Sequence, residues 1–183
     1  MISPGELESA RAMAAALIHR AGVPMRSDEP PRIEAADFGL GHLEIEGAQI
    51  LTVAESPRLA VKLIALFPGQ TLPEHWHPMV GDDPGKEETI RVQWGSMAIF
   101  APGAGRLEGW PPPAGKEAVY SVREGRMLAA GDQYYLPPGT RHWFQGGLEG
   151  AVVWSFSSVA RDVLDRFTDP AVVRTTVVKP ERP

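Results

Sequence analysis

The spacing of apolar positions changes character once along the chain. From Ser3 to Gly22 apolar residues recur three and four apart, at Leu7, Ala10, Ala14, Leu17, Ile18 and Ala21, the period of a helix with one face against a core. Local punctuation agrees: Ser3 suits a cap, Pro4 the first helical position, Glu6 a capping box and Gly22 a stop. His19, in the last turn, reads as a surface residue near the negative end of the helix dipole.

Beyond a loop rich in Pro and Asp, the apolar runs become short and β-rich. QILTVA (49–54), LAVKLIALF (59–67), TIRVQWGSMAIF (89–100), QYYLP (133–137), RHWFQ (141–145) and AVVWSF (151–156) are separated by Gly, Pro and Asp clusters. Many short strands with such turns predict an all-β barrel or sandwich. Residues 101–118, where Trp110 precedes Pro111, Pro112 and Pro113, are too irregular for a central strand and read as a long surface loop.

A short C-terminal helix is expected over Ser158–Phe167, with Val159, Val163, Leu164 and Phe167 on one side, stopping before Pro170. VVRTTVV beyond Ala171 is a candidate edge strand, followed by the tail KPERP. With no internal repeat and no linker, one structural domain is expected: residues 1–48 as helix and loop packed on a barrel, and 49–183 as the barrel with its C-terminal helix and tail.

Composition narrows the function classes. The 183 residues match one compact domain, and 43% apolar with 22% charged residues is ordinary for a soluble protein. No apolar run is long enough to span a bilayer, so no membrane partner is expected. A net charge of -5 argues against nucleic acid, whose binders cluster Lys and Arg. Cysteine is absent, which excludes disulfides, thiolate zinc sites and cysteine nucleophiles. Residues 1–25 lack the basic start and apolar core of a secretory signal, so a cytoplasmic location is expected.

The stretch PEHWHPMVGDDPGKEETIRVQWG (73–95) carries the candidate chemistry. In a strand, His75 and His77 point to one face and Trp76 to the other. Alone, a His-x-His pair is as compatible with a polar hairpin as with a metal site. The turn-rich loop 78–87 can bring the next strand, beginning near Glu88, back beside the two imidazoles. His142, after a Pro-Pro-Gly turn, offers a third. Three neutral imidazoles and one carboxylate suit a divalent transition metal with positions left for water or substrate. His42 reads as a loop residue, and Glu74, Glu87 and Arg91 are out of phase with the ligand face.

The spacing Gly69-x5-His75-x-His77-x10-Glu88-x6-Gly95 resembles the first cupin motif, and Gly131-x5-Pro137-x-Gly139-x2-His142 the second. The His-to-Glu gap departs from the common pattern, and Gly146 stands where an Asn is frequent; both departures fall on loops. The resemblance implies a small cupin β-barrel, a double-stranded β-helix, holding a metal by His75, His77, Glu88 and His142. LFPGQTLPEHWHPMVGDDPGKEETIRVQWG, LPPGTRHWFQGGLEGAVV and FTDP are further similar to the cupin-type D-lyxose isomerases, over much of residues 62–170. That similarity implies a sugar isomerase acting on D-lyxose and D-xylulose or D-mannose and D-fructose through a metal-stabilised enediolate. It also implies a divalent ion, Mn2+ first among Zn2+, Co2+, Ni2+ and Fe2+, and a homodimer paired through its sheets.

Acid–base candidates are Lys86, Lys62 and Asp169. Lys86 shares the face of Glu88 if the segment is extended, and is otherwise a solvated loop lysine. Lys62 either faces the interior or snorkels outward. Asp169 either ends the C-terminal helix or serves as a base across the barrel mouth. Two other classes stay open: a cupin dioxygenase, since three histidines and a glutamate also suit oxygen activation, and a cupin that binds sugar without turning it over.

Overall fold

The computed structural model describes residues 1–179; residues 180–183, the end of the KPERP tail, lie outside the described residues. Helix α1 (Pro4–Arg20) is closed at its start by the capping box, with the Glu6 amide donating to Ser3 Oγ and the Ser3 amide to the Glu6 carboxylate. Its buried positions, Ala10, Ala14 and Ile18, are those of the helical period. Ile18 and Ala14 pack with Leu51, Leu63, Ala65 and Val152 on the outside of the sheet; burying a side chain the size of Ile18 contributes about 1.5–3 kcal/mol.

Nine strands follow: β1 (Glu34–Ala36), β2 (Ala48–Glu55), β3 (Leu59–Leu66), β4 (Thr71–Trp76), β5 (Glu88–Phe100), β6 (Gly125–Ala129), β7 (Gln133–Leu136), β8 (His142–Ser158) and β9 (Arg166–Phe167). They form one curled sheet in the order β1-β2-β3-β8-β4-β9, with β5 alongside β8 and bordered by β6 and β7 on its other edge. All these pairings are antiparallel.

The two segments read as separate strands at 141–145 and 151–156 are one bent strand, β8. Its first part pairs with β4 and its second with β3, while β5 follows it on the other side through two register shifts. The bend requires close backbone approach. At Gly95, φ is +72° and a Cβ would stand 2.2 Å from the Gly150 carbonyl oxygen, so no side chain fits there. Curling leaves two environments: Ile50, Ile64, Leu72, Ile90, Val92, Ile99, Phe144 and Val153 share the interior core, whereas Ala98, Phe100, Tyr120 and Trp143 pack outside it.

Residues 101–118 contain no strand, as their prolines dictate, and cover that outer aromatic cluster with Leu107 and Trp110. The C-terminal helix does not form. Ser158 ends β8, a single 3-10 turn occupies Asp162–Leu164, and Arg166–Phe167 add as a strand to Trp76 and His75. The apolar period misleads because Val163 is 77% exposed and Leu164 42% exposed; no partner buries that face. VVRTTVV holds no regular strand, only an isolated bridge from Val178 to Ile2. No helix among the described residues is long and apolar enough to cross a membrane.

Candidate metal centre

Backbone features of β4 and the turn before β8 aim the three histidines. Pro73 sits where β4 breaks register between Leu72 and His75, a bulge in which proline's missing donor is tolerated and the following side chain is re-aimed. The Pro-Pro-Gly turn ties the second motif to the first, since the Gly139 amide donates to the His77 carbonyl oxygen at 3.1 Å. His75 and His142 face each other across the β4–β8 ladder, and the three ring centroids lie 4.2–5.3 Å apart. All three rings are buried, and their ligand nitrogens lie within 4.8 Å of one another.

The other ring nitrogen of each is fastened. His75 Nδ1 lies 2.8 Å from the Pro73 carbonyl oxygen, His142 Nδ1 2.8 Å from the Thr140 carbonyl oxygen and His77 Nδ1 2.7 Å from Asp165. Each contact fixes a tautomer and orients the ring, leaving Nε2 with its lone pair. His142 Nε2 is buried without a hydrogen-bond partner, a costly arrangement unless something else binds there. Burial and the neighbouring imidazoles push His75 well below its ordinary value, and His142 down to about 3, so both rings are neutral. At His77 burial pushes the same way, but Asp165 and Glu88 outweigh it and the ring is raised.

Glu88 Oε2 lies 3.4 Å from His77 Nε2 and 3.9 Å from His142 Nε2. Its other oxygen accepts from Ser155 Oγ and stands 3.6 Å from Lys86 Nζ. Burial alone would raise this carboxyl; Lys86 and His77 hold it well below the usual range. These donors fit a divalent cation: three buried nitrogens and an ionised carboxylate, one nitrogen being an orphan without it.

Lys86 is buried beside Glu88, and its second carboxylate neighbour is Asp162 at 3.7 Å. Burial disfavours its charge, yet Glu88, Asp162 and Asp165 raise it overall, so Lys86 remains an ammonium. Lys62 faces the interior and pairs with Asp162 Oδ2. Burial opposes the charge of Asp162, but Lys62, Lys86 and Arg174 bring its carboxyl down to about 2. His75, Glu88, both lysines, Asp162, Asp165 and Arg174 line one pocket walled by Phe38, Ile50, Ile64, Leu72, Phe144 and Phe167.

Asp162, Asp165 and Arg174 did not emerge from the sequence. The two aspartates carry no motif, and their segment has a helical period that would aim them elsewhere. Asp169 stands apart from the lysines of the pocket. Its carboxylate pairs with Lys116 and accepts from the Ala171 amide at 2.8 Å. Lys116 also lies 3.6 Å from Glu46, which accepts from Tyr120 Oη at 2.7 Å. Glu74, on the opposite face of β4 from His75, accepts from the Ser121 and Val122 amides. Together these contacts fasten the 113–122 loop to the outside of the barrel.

No family model matches the chain. Its sequence is 47% identical over 176 residues to the D-lyxose ketol-isomerase of Cohnella laeviribosi, covering 95% of this chain and 96% of that one. It is 43% identical to the D-lyxose/D-mannose isomerase of Thermosediminibacter oceani over 86% of this chain and 87% of that one. The chain belongs to the D-lyxose ketol-isomerase family. Among solved structures, L-ribose isomerase of Cellulomonas parahominis matches with a TM-score of 0.78 at 20% identity, over 93% of this chain and 94% of the other. That of Acinetobacter sp. DL28 in complex with L-ribose reaches 0.79 at 19% identity, with the same coverage. Identities this low speak for the curled cupin-like barrel alone. In this member of the D-lyxose ketol-isomerase family, then, the imidazole cluster adjoins the pocket of the lysine–aspartate group, His75 and Glu88 belonging to both.

Proposed function

We propose that the protein interconverts a free aldose with its ketose, D-lyxose with D-xylulose or D-mannose with D-fructose, by moving a proton between C1 and C2. One observation carries the reading: beside the cluster of three imidazoles, in a pocket that His75 and Glu88 help to line, an ammonium, Lys86, stands against an ionised carboxylate, Asp162. Neither an oxygen-activating site nor a sugar receptor requires that buried pair.

His75, His77, Glu88 and His142 would hold one divalent ion. Bound there, it supplies a Lewis acid that steadies the negative charge developing on the sugar's oxygens. Manganese is the ion we favour for catalysis, since oxygen-rich substrates suit it. By the Irving–Williams order, protein purified without added metal is expected to carry zinc or nickel.

Lys86, held protonated, gives a proton to O1 as charge builds there and takes one back from O2, while Asp162 takes the proton from C2 and returns it to C1. A carboxylate held near pKa 2 is a weak base. Sugar hydroxyls that engage Lys62 would relax its hold on Asp162 and strengthen the carboxylate as a base. The apolar walls exclude water from the exchange. Phe167, stacked on His75 with centroids 5.6 Å apart, closes the face of that ring.

The test is a panel of aldoses and ketoses with protein that has been chelated and reconstituted with Mn2+, Co2+ or Zn2+. D-lyxose or D-mannose should be converted only by reconstituted protein. If every sugar survives with every metal, the isomerase reading fails; full turnover by chelated protein would remove the metal from the reaction.

We further propose a cytoplasmic homodimer. Pairing is supported by the outer face of β3 and β8, where Leu59 and Phe156 are 48% and 43% exposed and Phe156 stacks on Trp154. Light scattering should give twice the 19.9 kDa chain mass, and Phe156→Glu should halve it. A monomeric wild-type protein refutes the pairing.

A further inference from the structure

On the side of the pocket away from the imidazoles, Arg174 has hydrogen bonds to spare. We propose that Arg174 binds the hydroxyl groups at the end of the sugar remote from C1 and C2, and thereby sets the preference for chain length. This assignment deepens the isomerase reading and rests on it for which end of the sugar reacts.

Arg174 is carried by the segment after Pro170 and is fixed by its surroundings. Its guanidinium donates to Glu34 Oε1 at 2.6 Å, to Glu34 Oε2 at 3.3 Å and to Asp162 Oδ2 at 3.4 Å, with its carbon 5.9 Å from the centre of the Phe38 ring. The segment itself is held. Val173 N donates to the Phe38 carbonyl oxygen at 2.8 Å, the Asp37 amide donates to Thr176 Oγ1 at 3.2 Å, and Val173 packs against Gly39. At Gly39, φ is +72° and a Cβ would sit 3.0 Å from that of Val173. Phe38 has φ of 51°, a left-handed conformation that is strained for a phenylalanine. Such strain persists where the surroundings over-determine it, and here Phe38 forms pocket wall beneath the guanidinium.

Elimination then points to the ligand. A sugar brings hydroxyls along its whole chain, and buried hydroxyls need partners. Among the polar groups of the pocket, Asp165 is committed to His77, Lys86 and Glu88 serve the reacting end, and Lys62 stands beside the Asp162 carboxylate that it pairs with. Among the described residues Arg174 makes three hydrogen bonds, whereas a guanidinium carries five N–H donors. The two left over, one on Nε and one on Nη1, can each meet a separate sugar oxygen.

The order of contacts gives the direction. Asp162 Oδ1 faces Lys86, which leads to Glu88 and the imidazoles, while Asp162 Oδ2 faces Arg174. A sugar with C1 and C2 at the lysine–aspartate pair therefore extends its remaining carbons toward Arg174 and Phe38.

The test uses ligands that cannot react. Reconstituted protein is titrated with D-arabinitol, the alditol of D-lyxose, and with the four-carbon erythritol, which keeps the configuration at C2 and C3 of D-lyxose and lacks its C5, for wild type, R174K and R174Q. Wild type should favour D-arabinitol by about 10- to 100-fold, the worth of hydrogen bonds from a charged donor. Both variants should lose that preference while retaining the metal. R174K distinguishes recognition from charge, because lysine keeps the positive charge beside Asp162 but lacks the fixed, spread N–H donors of a guanidinium. Restoration of the preference in R174K, or its persistence in R174Q, overturns the assignment. So does wild-type protein that binds the two alditols equally, a result needing no variant. In turnover, kcat/KM should fall by the same factor for D-lyxose and much less for L-erythrose. Loss of all turnover in wild type with alditol selectivity intact would instead indict the isomerase reading.

Discussion

His142→Ala is expected to leave the protein folded but unable to retain a divalent ion, with kcat/KM lower by about 10³-fold or more, the scale on which loss of a preorganised charge stabiliser is felt. The ring is fully buried and its Nε2 has no partner in the protein. Truncation therefore removes a ligand without orphaning a partner other than the Thr140 carbonyl oxygen. His75→Ala and His77→Ala should behave alike. Asp165→Asn should be milder, because it loosens the orientation of His77 and not a ligand; second-layer partners of this kind typically account for 10- to 100-fold in metal affinity. Metal analysis after dialysis orders the series. Among acidic residues the sharpest contrast is between neighbours: Glu88→Ala should lose the ion and Glu87→Ala should keep it, since Glu87 reaches out to Tyr135. Metal retained by Glu88→Ala and lost by Glu87→Ala would invert the register of β5.

That contrast could be drawn from sequence because its cues are local. His75 and His77 share a face two residues apart, which depends only on the period of an extended chain, while the six residues between Glu88 and Gly95 choose Glu88 through the resemblance to the cupin motif. Strand parity alone leaves Lys62 open between the interior and an outward course; in the structure Lys62 and Ile64 point inward beside each other. What escaped the sequence is non-local. Residues 158–167 have a helical period, but the chain there is pulled straight by pairing with His75 and Trp76 and by attachment of Asp162 and Asp165 to Lys62 and His77. Those partners are about a hundred positions away, and no window of the sequence contains both. The single strand β8 was read as two because its glycines resemble a turn, when their role is to let neighbouring backbones meet. Arg174 was missed for the same reason as Asp162: its worth lies in Glu34 and Phe38, far earlier in the chain.

The proposed mechanism turns on Asp162, and Asp162→Asn should lower kcat by about 10²–10⁴-fold, the usual contribution of a positioned acid or base. Asparagine matches the shape and loses the ability to carry a proton. The ion should remain, since the Asp162 contacts are to Lys62, Lys86 and Arg174 and not to the imidazoles. Solvent deuterium entering the sugar at C1 or C2, followed by proton NMR, should slow in parallel with turnover. Lys86→Ala should slow it as well with the ion in place. Asp169→Asn, which touches only the outer Lys116 network, should leave exchange within a few-fold of wild type. Thermal unfolding must accompany these measurements, because removing one buried carboxylate leaves several cations uncompensated. The linkage has a definite sign. A carboxyl depressed from its ordinary 3.8 to about 2 contributes stability that is complete above the ordinary value and lost as pH falls through about 2. The stability gap between wild type and Asp162→Asn should accordingly be constant near neutrality and close only in strong acid. Wild-type deuterium exchange in Asp162→Asn would remove it from the chemistry, and a collapse confined to Asp169→Asn would move the proton carrier to the outside of the barrel, against every contact that now faces the metal ligands.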